Sequence, residues 1–412
     1  MNSSDNENAV RGGLGPEREV DSIALDDIQS DSGGVIDDAS VVHSGHYVID
    51  ARRVPYILVI RPPRDHLSQP HHGNWEKKKL VVRWLHRVCF NQPISALEYD
   101  LFERVRDLNH HGPGIFEMLL MTEVGSVCDR HSVTRLVDTL ENNERVIGAS
   151  GQGMVENSSQ NWLTWTQDYE HHLSLQFTNA FESTTGAVQC LPSRFSLVRI
   201  KVKLVEYAIP VLVHPDVVSS YVDHRTHTLH DRSLVLDGGE DRYLTGLLHS
   251  AFPDRRIVYQ PYATYGFTVT ADLSAYLLQQ RLLLTSSFHT YWVQMWSPRL
   301  RGVFCCSINC LAMKKWLKLV LGPAMAILTC ATLVIVVIGA VTNVGALYSL
   351  PTVLALAFML SATLLQPILG VCLGRRTILK NVVGFCMYMV TLPCKSIGVA
   401  LLAYWHLDGK FL

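Results

Sequence analysis

The chain has 412 residues, with 36 Lys and Arg against 37 Asp and Glu, and 48% of it is hydrophobic. That length accommodates two or three domains, and the near-neutral balance excludes the strong positive field of a nucleic-acid binder. A slightly positive mean hydropathy suits a soluble part joined to a membrane part. The ten cysteines show no disulfide or zinc-ligand spacing and are expected to be reduced thiols. The polar, acidic N-terminus carries no secretory signal pattern.

Residues 1–45 are rich in Asp, Glu, Ser and Gly with few aromatics. Such a composition buries too little apolar surface to offset chain entropy, so a disordered acidic tail is expected. Residues 46–300 alternate strand and helix signals. Tyr56 to Ile60 and Ile115 to Met121 are short apolar runs that read as strands. Lys77 to Phe90, Ser132 to Leu140 and Trp162 to Phe181 have helical spacing. The alternation predicts an α/β domain with a largely parallel sheet. Residues 301–318 read as an interfacial segment, and 319–412 as a membrane domain.

From Leu319 to Gly374 there is no Asp, Glu, Lys, Arg or His. At roughly twenty residues per crossing, this predicts two transmembrane helices turning near Asn343 to Gly345. A third candidate runs from about Asn381 to Trp405, with Pro393 and Lys395 near its middle. A charge there is costly in lipid, so this segment is expected as a kinked span or a re-entrant element. Lys314, Lys315 and Lys318 precede the first span, while Arg375, Arg376 and Lys380 follow the second. Both clusters lie on one side, which the positive-inside rule makes cytoplasmic.

Several polar groups have ordinary explanations. The pairs His71-His72, His110-His111 and His171-His172 read as surface or loop histidines. Cys305, Cys306 and Cys310 read as buried free thiols. Asn157-Ser158-Ser159 fits a glycosylation sequon that a cytosolic location would leave unmodified. The stretch Gly239-Glu240-Asp241-Arg242-Tyr243-Leu244-Thr245 is the most informative. Its acidic pair opens an amphipathic segment, and by itself fits either a helix start with first-turn acids or a functional carboxylate.

From about Tyr47 to Phe411 these local patterns together resemble chitin synthase, in the larger fungal division of the family 2 glycosyltransferases. Arg53-Val54-Pro55-Tyr56-Ile57 resembles R-V-P-Y-L, and Leu97 to Phe102 resembles L-E-Y-E-L-F. Ala180-Phe181-Glu182-Ser183 followed by Cys190-Leu191-Pro192 matches A-F-E-S…C-L-P, and Gly239 to Thr245 matches G-E-D-R-Y-L-T. Gly302 to Cys305 and Tyr404-Trp405-His406 resemble segments flanking the family's membrane helices.

The resemblance implies a partial GT-A-like glycosyltransferase domain followed by a C-terminal transmembrane helix bundle. It implies transfer of N-acetylglucosamine from UDP-N-acetylglucosamine to the 4-hydroxyl of a growing chitin chain, with inversion. The partners implied are that donor, the chitin chain and membrane lipid, with a homo-oligomer or an intact chitin synthase possible beside them and no nucleic acid. The location implied is the plasma membrane, with the transferase domain cytosolic. Asp241 takes the position of the catalytic base. Glu240, Arg242, Gln279 and Arg281 take positions on the acceptor side, where Leu283 replaces the Trp of Q-R-R-R-W. Ser150 to Met154 replaces C-G-E-T-K and loses its charged groups.

The family uses Mg or Mn held by Asp-x-Asp. An ungapped alignment puts Glu123, Val124 and Gly125 there, which leaves Glu123 as a donor-side residue and removes a metal ligand. The family's first βαβ segment would precede Tyr47, and its sequence would continue past Phe411, so the chain reads as the later half of a synthase core. The alternative is a catalytically inactive chitin synthase-like membrane protein or gene fragment acting only as a partner.

Overall fold

The computed structural model describes residues 40–49, 52–60, 72–203, 208–223, 239–297, 300, 307–342, 378–399 and 401. The chain divides into two compact units, Met1–Phe116 and Glu117–Leu412, where the sequence suggested one domain over 46–300.

In the first unit, strands β1 (Val41–Ile49) and β2 (Arg52–Ile60) pair antiparallel from Val41↔Ile60 to Ile49↔Arg52. β1 begins inside the stretch expected to be disordered, and residues 1–39 of that stretch lie outside the described residues. Helices α1 (His72–Cys89) and α2 (Ala96–Asn109) follow. Ser95 caps α2 in a capping box: its hydroxyl accepts from the Glu98 N–H, and the Glu98 carboxylate accepts from the Ser95 N–H. That carboxylate is buried and also accepts from Arg83 Nε at 2.8 Å and Arg87 Nη1 at 2.6 Å. Trp84 Nε1 donates to the Glu98 carbonyl at 3.0 Å. One acid therefore locks α1 to α2.

The second unit is built on a five-stranded sheet. In chain order it contains β3 (Met118–Thr122), β4 (Val127–Cys128), α3 (Ser132–Glu141), β5 (Val146–Val155) and α4 (Trp162–Leu173). A π-type turn (Ser174–Asn179) leads into the short helix α5 (Ala180–Thr184). Next come β6 (Phe195–Arg199), the small pair β7 (Lys201–Lys203) and β8 (Ala208–Pro210), α6 (Pro215–Val218) and α7 (Glu240–Ala251). The remaining elements are β9 (Arg256–Phe267), α8 (Leu273–Trp296), α9 (Ser307–Thr342) and α10 (Ile378–Cys394).

The strand order is β3-β6-β5-β9-β4. Only β5 and β9 run parallel; β3 with β6, β6 with β5, and β4 with β9 are antiparallel. The expectation of a largely parallel sheet is therefore corrected to a mixed one. Burial periodicity reports which face of a strand is covered and carries no information on its direction. The core lies against α3, where Leu136 and Leu140 pack with Val146, Ala149, Phe195, Leu197, Tyr265 and Phe267. β5 and β9 shift register between Ser150 and Gln152. Gly151 sits there because a Cβ would stand 2.5 Å from both the Ala263 carbonyl oxygen and Phe195 Cδ1.

Among the described residues no helix is long and apolar enough to cross a membrane. The second expected span, the two flanking arginines and the segments 301–306 and 402–412 lie outside the described residues. Cys305 and Cys306 fall in that set, whereas Cys310 is exposed rather than buried. The third hydrophobic segment forms α10 and a π-type turn at Lys395–Val399. It lies against α4: the Tyr169 ring meets Phe385 at 6.1 Å and Tyr388 at 5.5 Å. Lys395 makes an ion pair with Glu170 and sits 5.6 Å from the Tyr276 ring. The charge that would be costly in lipid is met by protein.

Burial alone pushes the Glu98 carboxyl up, but the Ser95 N–H, Arg83 and Arg87 outweigh it and hold the group below the usual range. Its stabilising effect is thus present above the ordinary glutamate value of about 4.3 and lost as pH falls through the lower folded value. Glu98→Gln is expected to destabilise the protein by about 2–3 kcal/mol at pH 7. Thermal unfolding at pH 7 and pH 3 checks this: the gap between variant and wild type should narrow at pH 3.

Candidate active site

α7 begins at Glu240 after a Gly239 that makes no side-chain cap. Two acids in its first turn suit the positive end of the helix dipole. The Asp241 carboxylate also reaches across to the segment that precedes β6. The Ser193 N–H donates to Asp241 Oδ2 at 2.9 Å, and the Ser193 hydroxyl donates to Oδ1. One turn on, Thr245 Oγ1 accepts from the Leu191 N–H at 2.9 Å and donates to the Asp241 carbonyl at 2.6 Å. One turn further, His249 Nε2 meets the Val188 carbonyl at 2.9 Å. Positions four apart share a helix face, so one polar stripe binds the backbone of residues 188–193 three times.

Charged groups surround this contact. Arg242 is half-buried and hydrogen-bonds Tyr291 of α8. Burial opposes its charge, but Tyr291, Cys190 and Asp241 outweigh that and hold the guanidinium charged. Burial pushes the Cys190 thiol up to about 11, beyond what the nearby Arg242 offsets, so it is neither a thiolate nor a nucleophile at neutral pH. Glu182 of α5 is buried, accepts from the Gln189 N–H at 3.1 Å and pairs with Lys315 of α9 at 2.5 Å. Gln189 Nε2 donates to the Ile308 carbonyl at 3.2 Å, which also ties the segment to α9.

On the sheet side, Glu123 follows β3 and accepts from Arg194 Nε at 3.1 Å. The Arg194 guanidinium carbon stands 4.6 Å from the Phe267 ring centre. Burial pushes the Tyr265 phenol up to about 12; Arg194 works against this, while Glu123, Cys190 and Asp241 add to it. Tyr265 thus lies within electrostatic reach of both Glu123 and Asp241.

The structure gathers Asp241, Arg242 and Glu123 around the segment 188–194, with Glu240 half-buried beside Asp241. Gln279 and Arg281 are elsewhere on α8. Arg281 precedes Tyr291 by ten residues, about 15 Å along the helix axis. Gln279 is exposed and Arg281 half-buried. Glu123, Val124 and Gly125 do not make a cation site. The Glu123 carboxylate faces an arginine, Val124 is 108% exposed, and Gly125 adopts φ +85°. No group of three His, Cys, Asp or Glu side chains that could hold a metal occurs among the described residues. A surface cavity of about 430 Å³ lies apart from Asp241, lined by α3 and β9 residues including Arg135, Asp138 and Tyr262.

Ser193, Arg194 and His249 were not found by sequence reasoning, while Glu182, Thr245 and Lys315 stood out only as parts of motifs or of the basic cluster. The spacing of Asp241, Thr245 and His249 is readable as one helix face; its partners some fifty residues away are not. His110 and His111 are exposed as expected, whereas His172 is buried and His171 half-buried, which corrects that pair. Asn157 accepts from the Val269 N–H and donates to its carbonyl, so the sequon asparagine braces a turn.

Burial holds the His249 imidazole down to about 4, although its bond to Val188 favours the proton. A depressed value means that stability is complete above the unfolded value near 6.5 and lost as pH falls toward 4. Unfolding free energies from urea titrations between pH 6.5 and pH 4 are expected to fall by up to about 1.4 kcal/mol per pH unit per such histidine. His249→Gln, which still donates to Val188, should flatten that slope.

A family profile described as chitin synthase matches residues 14–411. Chitin synthase 5 of Mycosarcoma maydis is 31% identical over 87% of this chain and 22% of its own length. Chitin synthase csm1 of Pyricularia grisea is 30% identical over 89% of this chain and 19% of its own length. Chitin synthase 7 of Mycosarcoma maydis is 29% identical over 90% of this chain and 29% of its own length. The chain therefore spans less than a third of these relatives. The profile match covers nearly all of it, and the chain belongs to the chitin synthase family.

Proposed function

We propose that this member of the chitin synthase family transfers N-acetylglucosamine from UDP-N-acetylglucosamine to the 4-hydroxyl of a growing chitin chain, with Asp241 as the base. The observation that carries the reading is the grip of Ser193 on both oxygens of Asp241. An ionised carboxylate offers about four lone-pair positions. Ser193 engages one on each oxygen, which sets the orientation in which the carboxylate meets a sugar hydroxyl. The same grip fixes the side chain before substrate arrives, which removes an ordering cost from the reaction.

In the transfer, the 4-hydroxyl oxygen attacks the sugar C1 from the face opposite UDP. The new C1–O bond forms as the bond from C1 to the diphosphate oxygen breaks. The electron pair leaves with UDP, and the hydroxyl proton passes to Asp241. Glu240 and Arg242 flank the base on the acceptor side, and Gln279 and Arg281 meet the polymer farther along α8. The donor lies toward Glu123. The family resemblance implies Mg or Mn, but Glu123, Val124 and Gly125 do not fit a divalent ion.

The charge-free sequence from Leu319 to Gly374, whose first part lies within α9, supports two membrane crossings. The lysines at 314, 315 and 318 then face the cytoplasm of a cell whose plasma membrane holds the protein, with the transferase unit on the same side. Lipid is accordingly a partner, as is a second copy or an intact chitin synthase.

Incorporation of labelled sugar from UDP-N-acetylglucosamine into insoluble polymer, in membranes containing the full chain, tests the reading. Asp241→Asn should lower the rate roughly 10²–10⁴-fold, the typical share of a positioned base. Ser193→Ala should lower it less, because the Ser193 N–H remains. Wild-type rates in Asp241→Asn would contradict the assignment. Synthesis only after addition of an intact chitin synthase would make the chain a partner instead.

A further inference from the structure

We propose that the guanidinium of Arg194, rather than a divalent cation, binds the diphosphate of the nucleotide sugar in this chain. The inference rests on the donor side proposed above. Its starting point is what stands where an acidic metal site is expected. One acid, Glu123, remains, and its carboxylate accepts from Arg194 Nε at 3.1 Å. Val124 projects into solvent, and a side chain built on Gly125 would meet nothing within 4 Å. A cation already faces the surviving carboxylate, and it belongs to the protein.

Arg194 is built in rather than loose. Its guanidinium lies against the Phe267 ring at 4.6 Å, a cation–π contact that orients the planar group. It directly follows Ser193, which holds Asp241. A single peptide link therefore fixes the separation between the proposed base and the proposed anion-binding group. A guanidinium carries five N–H donors, and the Glu123 contact uses the one on Nε. Both terminal nitrogens have no hydrogen-bond partner among the described residues, and their fork matches two phosphate oxygens. The side chains of Arg194 and Glu123 are 29% and 36% exposed, open enough for a ligand to approach. The Arg194 charge is also felt nearby: His171 is held down to about 4, first by burial and then by Arg194 and Lys395.

UDP binding to the purified full chain, measured calorimetrically with Mn²⁺ and again with EDTA, tests the proposal. Wild type should bind UDP with the same affinity in both. Arg194→Ala should weaken binding about tenfold to a hundredfold, the scale of a charge-assisted hydrogen bond, and Arg194→Lys less. Glu123→Gln should bind UDP at least as well as wild type, because it frees Arg194 from its counter-charge; this variant guards against a folding defect in Arg194→Ala. Three results overturn the proposal: UDP binding that requires Mn²⁺ and is lost in Glu123→Gln, wild-type affinity in Arg194→Ala, or no binding in either buffer. Normal sugar transfer by Asp241→Asn would overturn the base assignment alone, because the role of Arg194 is read from UDP binding in the Arg194 variants.

Discussion

One helix face holds the site together. Asp241, Thr245 and His249 bind Ser193, Leu191 and Val188 in turn, so α7 and the segment entering β6 behave as one piece. The segment lies against the core, with Val188 and Leu191 buried. Its backbone N–H and C=O groups need partners, and an unpaired one costs about 1–3 kcal/mol. The stripe supplies those partners and aims Asp241 at the same time. Structural satisfaction and chemical placement are thus the same three contacts.

The same segment is tied in two other directions. Gln189 and Glu182 connect it to Ile308 and Lys315 of α9, the helix that continues into the charge-free sequence. Arg242 connects α7 to Tyr291 of α8. A shift in α9 would therefore be felt at residues 188–193 through buried charged contacts, which have few alternative arrangements. On the sheet side, Arg194 bridges Glu123 and the Phe267 ring, so the ends of β3 and β9 meet beside the base.

Much of this was legible in the sequence, because periodicity and local punctuation report local structure. The helices over Lys77 to Phe90 and Ser132 to Leu140 appeared within a few residues of where their spacing placed them. Trp162 to Phe181 was one helical run by spacing, and the chain keeps it nearly continuous through a π-type turn. Strand direction was not legible, since β6 runs antiparallel to both of its neighbours and its burial pattern does not record this. Val41–Ile49 was missed because its Ser, His and Gly residues dilute an edge strand with no apolar run. Asp241 stood out through its motif, but Ser193 and Arg194 acquire meaning only when the chain folds back over some fifty and seventy residues. Lys395 shows the same limit, as its partner Glu170 lies over two hundred residues away.

The central claim is that Asp241 and the 188–193 segment form one unit, and amide hydrogen exchange reads it directly. In Asp241→Ala, the Ser193 amide is expected to exchange at least about tenfold faster, while the amides of Val146–Val155 in β5 keep their protection. An unchanged Ser193 amide, or a loss of protection spread equally through β5, would contradict the account.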